Sequence, residues 1–67
     1  MTILVTGSSG HLGDAIMRLL RDRGRDVRGM DISAAPQTDI VGSIAERTQV
    51  RNAVKGVDTI IHSATLH

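Results

Sequence analysis

Three glycines stand three residues apart in the string Thr6-Gly7-Ser8-Ser9-Gly10-His11-Leu12-Gly13, and that spacing suits a phosphate group. A glycine at 7 lets a chain turn sharply off a strand, and one at 10 removes a side chain where a pyrophosphate must approach the backbone. A glycine at 13 allows the following helix to lie close against the strands. The start of such a helix offers unpaired N–H groups and the positive end of its dipole to an anion. Ser8 and Ser9 fit loop-forming and phosphate-contacting roles; no base partner is placed for a nucleophile, and the context differs from a nucleophile elbow. Asp31 lies eighteen residues beyond Gly13, near the spacing at which an acid accepts hydrogen bonds from an adenosine ribose. A carboxylate there repels the extra phosphate of NADP, so NAD is expected as the cofactor and NADP is disfavoured. The competing reading of Asp31 is a turn cap on Ser33, and that of the glycines is an ordinary tight turn before a helix.

Positioning these groups requires a strand before the glycines and a helix after them. Residues 2–5 form a short apolar run rich in β-branched side chains, ending at the turn formers of the glycine string. Leu12, Ile16, Leu19 and Leu20 then fall at helical spacing, which predicts a helix over residues 11–23 ended by Gly24. Arg18, Arg21 and Arg23 crowd its last turns, where cations are favoured. Val27 and Met30 suggest a second strand closing on Asp31, Pro36 marks a surface loop over residues 33–38, and Ile40 and Val41 suggest a brief third strand. Ser43 and Glu46 have the spacing of a capping box, ahead of Val50, Ala53, Val54 and Val57 at helical intervals. The β-branched run Thr59, Ile60 and Ile61, within residues 58–63, is of the sort buried on both faces of a parallel sheet. Strands alternating with helices imply parallel pairing through right-handed crossovers. The expected fold class is α/β, half of a Rossmann-type doubly wound parallel sheet in the order 3-2-1-4, with its switch point between strands one and four.

Composition narrows the alternatives. The chain of 67 residues has room for one small domain, with no repeat or linker dividing it, and its 40% hydrophobic and 22% charged content excludes a disordered tail or a membrane span. There is no cysteine, hence no disulfide framework or thiolate metal site, and no Phe, Trp or Tyr. A net charge of +1 gives no electrostatic reason for nucleic acid or anionic lipid as a partner. The arginines at 18, 21, 23, 25 and 28 are interleaved with Asp22 and Asp26, and a solvated helix end explains them better than a nucleic-acid patch. His11 could assist an anion at the helix start; His62 reads as a core histidine bonded to backbone; His11, His62 and His67 lack metal-ligand spacing, so no metal is assigned. Residues 1–5 are too short for the regions of a signal peptide, so a cytoplasmic location is the default expectation.

The string from Thr6 to Gly13 resembles the cofactor loop of the extended short-chain dehydrogenase/reductases, specifically the NAD-dependent epimerase/dehydratase group. Val27-Arg28-Gly29-Met30-Asp31 is a further match, and the closing Gly56-Val57-Asp58-Thr59-Ile60-Ile61-His62-Ser63-Ala64 is similar to that family's fourth strand. The resemblance implies that Gly7, Gly10, His11 and Leu12 line the pyrophosphate, largely through backbone, and that Asp31 and Ile32 hold the adenosine ribose. Where the family places an acid followed by Leu or Ile beside the adenine, this chain has Ser43-Ile44. Ser63, Ala64 and Thr65 match the segment running under the cofactor's ribose and pyrophosphate. The cofactor-binding set is therefore Gly7, Ser9, Gly10, His11, Leu12, Gly13, Asp31, Ile32, Ser43, Ile44, Ser63, Ala64 and Thr65.

The resemblance covers the whole chain but only the amino-terminal quarter or so of a typical member of roughly 250 to 350 residues. Members act through a Tyr-x-x-x-Lys pair and a nearby Ser or Thr. This chain has no tyrosine, and its one lysine, Lys55, falls in the second helical stretch. Residues 1–67 are accordingly expected to be an NAD(P)-binding half-domain, a fragment whose catalytic and substrate-binding remainder lies elsewhere. The parent would be a sugar-nucleotide epimerase, dehydratase or related oxidoreductase. The alternative is a non-catalytic minimal nucleotide-binding module or dinucleotide sensor. Either way strand four leaves an apolar edge open, through which the isolated chain is expected to form a homo-oligomer.

Overall fold

The computed structural model describes residues 1–63. Its elements run β1 (Thr2–Thr6), α1 (His11–Asp22), β2 (Asp26–Asp31), β3 (Ile40–Val41), α2 (Arg47–Ala53) and β4 (Thr59–His62). The four strands form one parallel sheet in the order β3-β2-β1-β4, as the alternating pattern predicts. This is half of a Rossmann-type doubly wound sheet.

Strand β1 lies between β2 and β4 and is covered on both faces, which its unbroken apolar run allows. Because successive side chains alternate, Ile3 and Val5 meet Met17 of α1 and Val27 of β2, while Leu4 points the other way to Met30 and Ala53 of α2. Each helix thus closes a separate small core, with Ile16, Leu20 and Ile61 flanking the first and Ile40, Val54 and Val57 the second. Full burial of a Leu, Val or Met contributes about 1.5–3 kcal/mol, so Leu4 and Val5 of β1, with Met17 and Met30, tie the layers together. Arg28 projects to the α2 side and donates from Nη1 to the carbonyls of Ala53 and Lys55, 2.9 and 3.0 Å away. It therefore serves the C-terminal end of α2 and is separate from the solvated end of α1.

Two expectations from the sequence are corrected. The β4 run is not buried on both faces: Thr59, Ile60 and His62 are exposed and only Ile61 is half-buried, because β4 is an edge strand among the described residues. The capping box at Ser43 and Glu46 does not form, since α2 begins only at Arg47 with Glu46 at its N-cap and no side-chain cap. Ser43 Oγ instead accepts the Ala45 N–H at 3.1 Å, and Gln49 Oε1 reaches back to accept the Ser43 N–H at 2.6 Å. Among the described residues, no helix is long and apolar enough to cross a membrane.

Candidate functional site

The parallel register brings Thr6, Met30 and His62 level at the carboxyl edge of the sheet, where the chain turns from β1 toward α1. Gly7 takes a φ of 77°, in the left-handed region where a side chain is disfavoured. The turn is held by its neighbour β2: the N–H groups of Gly7 and Ser8 both donate to the Met30 carbonyl, at 2.8 and 3.2 Å. Helix α1 then starts so close to the turn that a Cβ on Gly13 would lie 1.9 Å from the Gly7 carbonyl oxygen and 2.9 Å from Ser63 Oγ. Nothing of that size fits there.

Gly10 is different. Its φ and ψ of −78° and 169° suit any residue, and a Cβ there would meet only the Gly7 carbonyl oxygen, at 3.4 Å. Among the described residues no contact demands a glycine at 10, whereas a ligand approaching its exposed backbone would. Gly10 is also the N-cap of α1 and carries no side-chain cap, so the first-turn N–H groups are left for solvent or an anion. Ser9, Gly10, His11 and Asp14 line a shallow cavity of about 290 Å³ at this point. The carboxylate of Asp14 is answered by Arg18 Nε at 2.7 Å, a hydrogen bond that raises the guanidinium pKa further and offsets a negative charge beside the cavity. His11 and Leu12 are exposed at the helix start.

Asp31 ends β2 beside the turn. Its Oδ2 accepts the Ser9 N–H at 3.1 Å and its Oδ1 accepts the Ser33 N–H at 3.0 Å. The turn-cap role and the link to the glycine loop thus coexist in one carboxylate. Partial burial pushes this carboxyl upward, but hydrogen bonds from Ser9, Ser33 and Ile32 outweigh it and hold the pKa below its ordinary value. The group is therefore charged at neutral pH, with lone pairs left for a further donor.

The other expected site residues divide. Ile32 is exposed directly after Asp31. Gly42 donates its N–H to the Asp31 carbonyl at 2.8 Å, which brings Ser43 close to the same sheet edge. Ile44 faces a separate cavity with Ala45, Arg47, Val50 and Arg51. Ser63 Oγ donates to the Thr6 carbonyl at 2.5 Å, beneath the turn. Ala64 and Thr65, like His67, lie outside the described residues. His62 is corrected: it is exposed on the edge strand, and Nδ1 lies 2.6 Å from the Thr6 hydroxyl instead of bonding to backbone in a core. Sequence reasoning also missed Thr38, whose hydroxyl meets that of Ser8 at 2.7 Å; a contact thirty residues apart has no local signal.

The profile of the NAD dependent epimerase/dehydratase family matches residues 3–67. A 3-beta-hydroxysteroid dehydrogenase of Mycolicibacterium neoaurum is 40% identical over 70 residues, covering 96% of this chain and 19% of its own. A short-chain dehydrogenase/reductase superfamily protein of Agrobacterium tumefaciens, solved with bound NAD, superposes with a TM-score of 0.93 at 35% identity, over 100% of this chain and 21% of the other. The 3-alpha-hydroxysteroid dehydrogenase of Pseudomonas sp. B-0831, complexed with NADH, gives a TM-score of 0.74 at 26% identity, over 98% and 31%. The chain spans about a fifth of the length of the curated relatives it matches.

The contrast between the two glycines is measurable. Gly10→Ala is expected to cost no more than about 1 kcal/mol in urea denaturation, the scale of an N-cap change. Gly13→Ala is expected to cost at least about 3 kcal/mol, because backbone must move to admit the methyl group. Equal losses would show that the two positions do not differ in the way their surroundings indicate.

Proposed function

The chain belongs to the NAD dependent epimerase/dehydratase family, and on that premise we propose that residues 1–67 are the dinucleotide-binding half-domain of an NAD-dependent oxidoreductase of the epimerase/dehydratase type. The observation that carries this reading is the uncapped start of α1 beside Gly10, where the chain leaves open both backbone donors and the space a Cβ would fill. A pyrophosphate suits that place: it carries negative charge for the helix terminus and needs close backbone approach. In this arrangement Gly7, Ser9, Gly10, His11, Leu12 and Gly13 form the pyrophosphate side, with Asp31 and Ile32 toward the adenosine ribose. Ser43 and Ile44 are assigned to the adenine end and Ser63 to the floor beneath the cofactor; Ala64 and Thr65, which the resemblance adds to that floor, lie outside the described residues. The bound dinucleotide would supply hydride transfer; these residues bind and orient it.

NAD is favoured over NADP on the behaviour of Asp31. Its carboxylate is fixed from both oxygens by Ser9 and Ser33, so it has little freedom to swing away from a second phosphate. Its lowered pKa keeps it charged, and a charged acid accepts from two ribose hydroxyls but repels a phosphate on either. With no tyrosine and Lys55 alone, proton transfer to substrate is assigned to residues outside these 67. The named hydroxysteroid dehydrogenases match this chain over only about a fifth to a third of their own length, so the substrate is assigned to the remainder of the protein.

The edge of β4 has no partner strand among the described residues, and Ile60 is 54% exposed on it. We propose that the isolated 67-residue chain pairs two copies along this edge, since an exposed apolar strand with free N–H and C=O groups is a pairing template. Light scattering at high micromolar concentration is expected to give a dimer or larger species, and a stable monomer would contradict this.

Calorimetric titration tests the cofactor. NAD is expected to bind at least about tenfold more tightly than NADP, given the like-charge contact, and Asp31→Ala should weaken NAD binding and narrow the difference. Tighter binding of NADP, or NAD affinity unchanged in Asp31→Ala, would overturn the assignment.

A further inference from the structure

Ser8 is fully buried at the centre of the glycine turn, between the two glycines whose backbone shapes it. A buried hydroxyl is costly unless paired, and its partner is the hydroxyl of Thr38, 2.7 Å away in the connection between β2 and β3. That connection is anchored independently of the turn. Asp39 exchanges two hydrogen bonds with Gly29, its N–H donating to the Gly29 carbonyl at 3.0 Å and its Oδ2 accepting the Gly29 N–H at 2.8 Å. Arg21, near the end of α1, donates to Gln37 Oε1 at 2.5 Å and to Asp39 Oδ2 at 2.7 Å. The Thr38 N–H closes a local turn on the Ala35 carbonyl at 3.0 Å. The connection can lie this close only because position 29 has no side chain: a Cβ there would be 2.2 Å from the Gln37 carbonyl oxygen and 2.9 Å from Ser8 Cβ.

Thr38 is therefore a fixed point and Ser8 is what it fixes. The backbone of Gly7 and Ser8 hangs from the Met30 carbonyl, and that of Ser9 from Asp31. Those bonds tie the turn's backbone to the end of β2, and the Ser8–Thr38 pair adds a side-chain tie from the buried Ser8 to the connection that follows β2.

We propose that Thr38 is a positioning residue of the dinucleotide site, holding Ser8 so that the Ser9 and Gly10 backbone keeps the orientation a pyrophosphate requires. This rests on the function proposed above and adds to it a residue that touches no cofactor. Misplacement of a binding group by about an ångström is enough to lose much of its contribution.

The test uses the 67-residue chain with Thr38→Val, which keeps the shape and removes the hydroxyl, and Thr38→Ser, which restores it. Thr38→Val is expected to weaken NAD binding about tenfold, the loss of one well-aligned hydrogen bond's worth of organisation. Thr38→Ser should bind within about twofold of the parent. In the ligand-free protein, amide exchange at Ser9 and Gly10 is expected to quicken in Thr38→Val while β1 and β2 stay protected. If Thr38→Val does not fold, Ser8→Ala removes the same pair from the other side and should give the same two results. Unchanged NAD affinity and unchanged loop exchange in a folded variant would overturn the proposal and reduce the pair to a stabilising contact. A parent chain without affinity for NAD would overturn the proposed function, while the exchange measurement would still report whether Thr38 holds the turn.

Discussion

Helix α1 can start where it does only because position 13 has no side chain, its Cβ site lying 1.9 Å from the Gly7 carbonyl oxygen. That approach brings the helix down onto Ile3, Val5 and Val27 through Met17 and closes the first core. It also points the uncapped first turn across the carboxyl edge of the sheet. One contact thus determines both how the layer packs and where backbone donors are left over. A bulkier residue at 13 would lift the helix, loosening the core and moving those donors together.

The rest of the site depends on how β2 holds the turn. Met30 contributes a buried side chain to the α2 face and a carbonyl to Gly7 and Ser8. Asp31 then supplies a charged acceptor to Ser9, one residue further along. Because pairing places Thr6 opposite Met30, no long loop is needed to bring the two sides of the cleft together. The positive end of α1 and the negative carboxylate of Asp31 lie at the carboxyl ends of the neighbouring strands β1 and β2, an arrangement that suits a ligand with phosphates at one end and ribose hydroxyls at the other.

Much of this was legible in the residues. The glycine spacing, the helical recurrence of Leu12, Ile16, Leu19 and Leu20, and Asp31 closing a strand are local patterns, and local patterns survive into the fold. The departures share a cause. Burial of β4 depends on what stands beside it, which composition cannot tell; Ile60 has the same residue type as a core strand and lies at an edge. Ser43 and Glu46 have a capping spacing, yet Gln49 outcompetes the glutamate for the Ser43 N–H by reaching from the helix itself. The Ser8–Thr38 and Thr6–His62 pairs join residues 30 and 56 positions apart, and no periodicity encodes such meetings.

The central claim is that the 7–13 turn and Asp31 together form the dinucleotide cradle. Amide chemical-shift mapping of the ¹⁵N-labelled 67-residue chain during titration with NAD tests it most directly. The largest saturable shifts are expected at Ser9, Gly10, His11 and Leu12, with Ile32 and Ser33 moving in the same titration. Saturable shifts confined to Arg47, Val50 and Arg51 of the separate cavity, with the glycine turn unmoved, would contradict it.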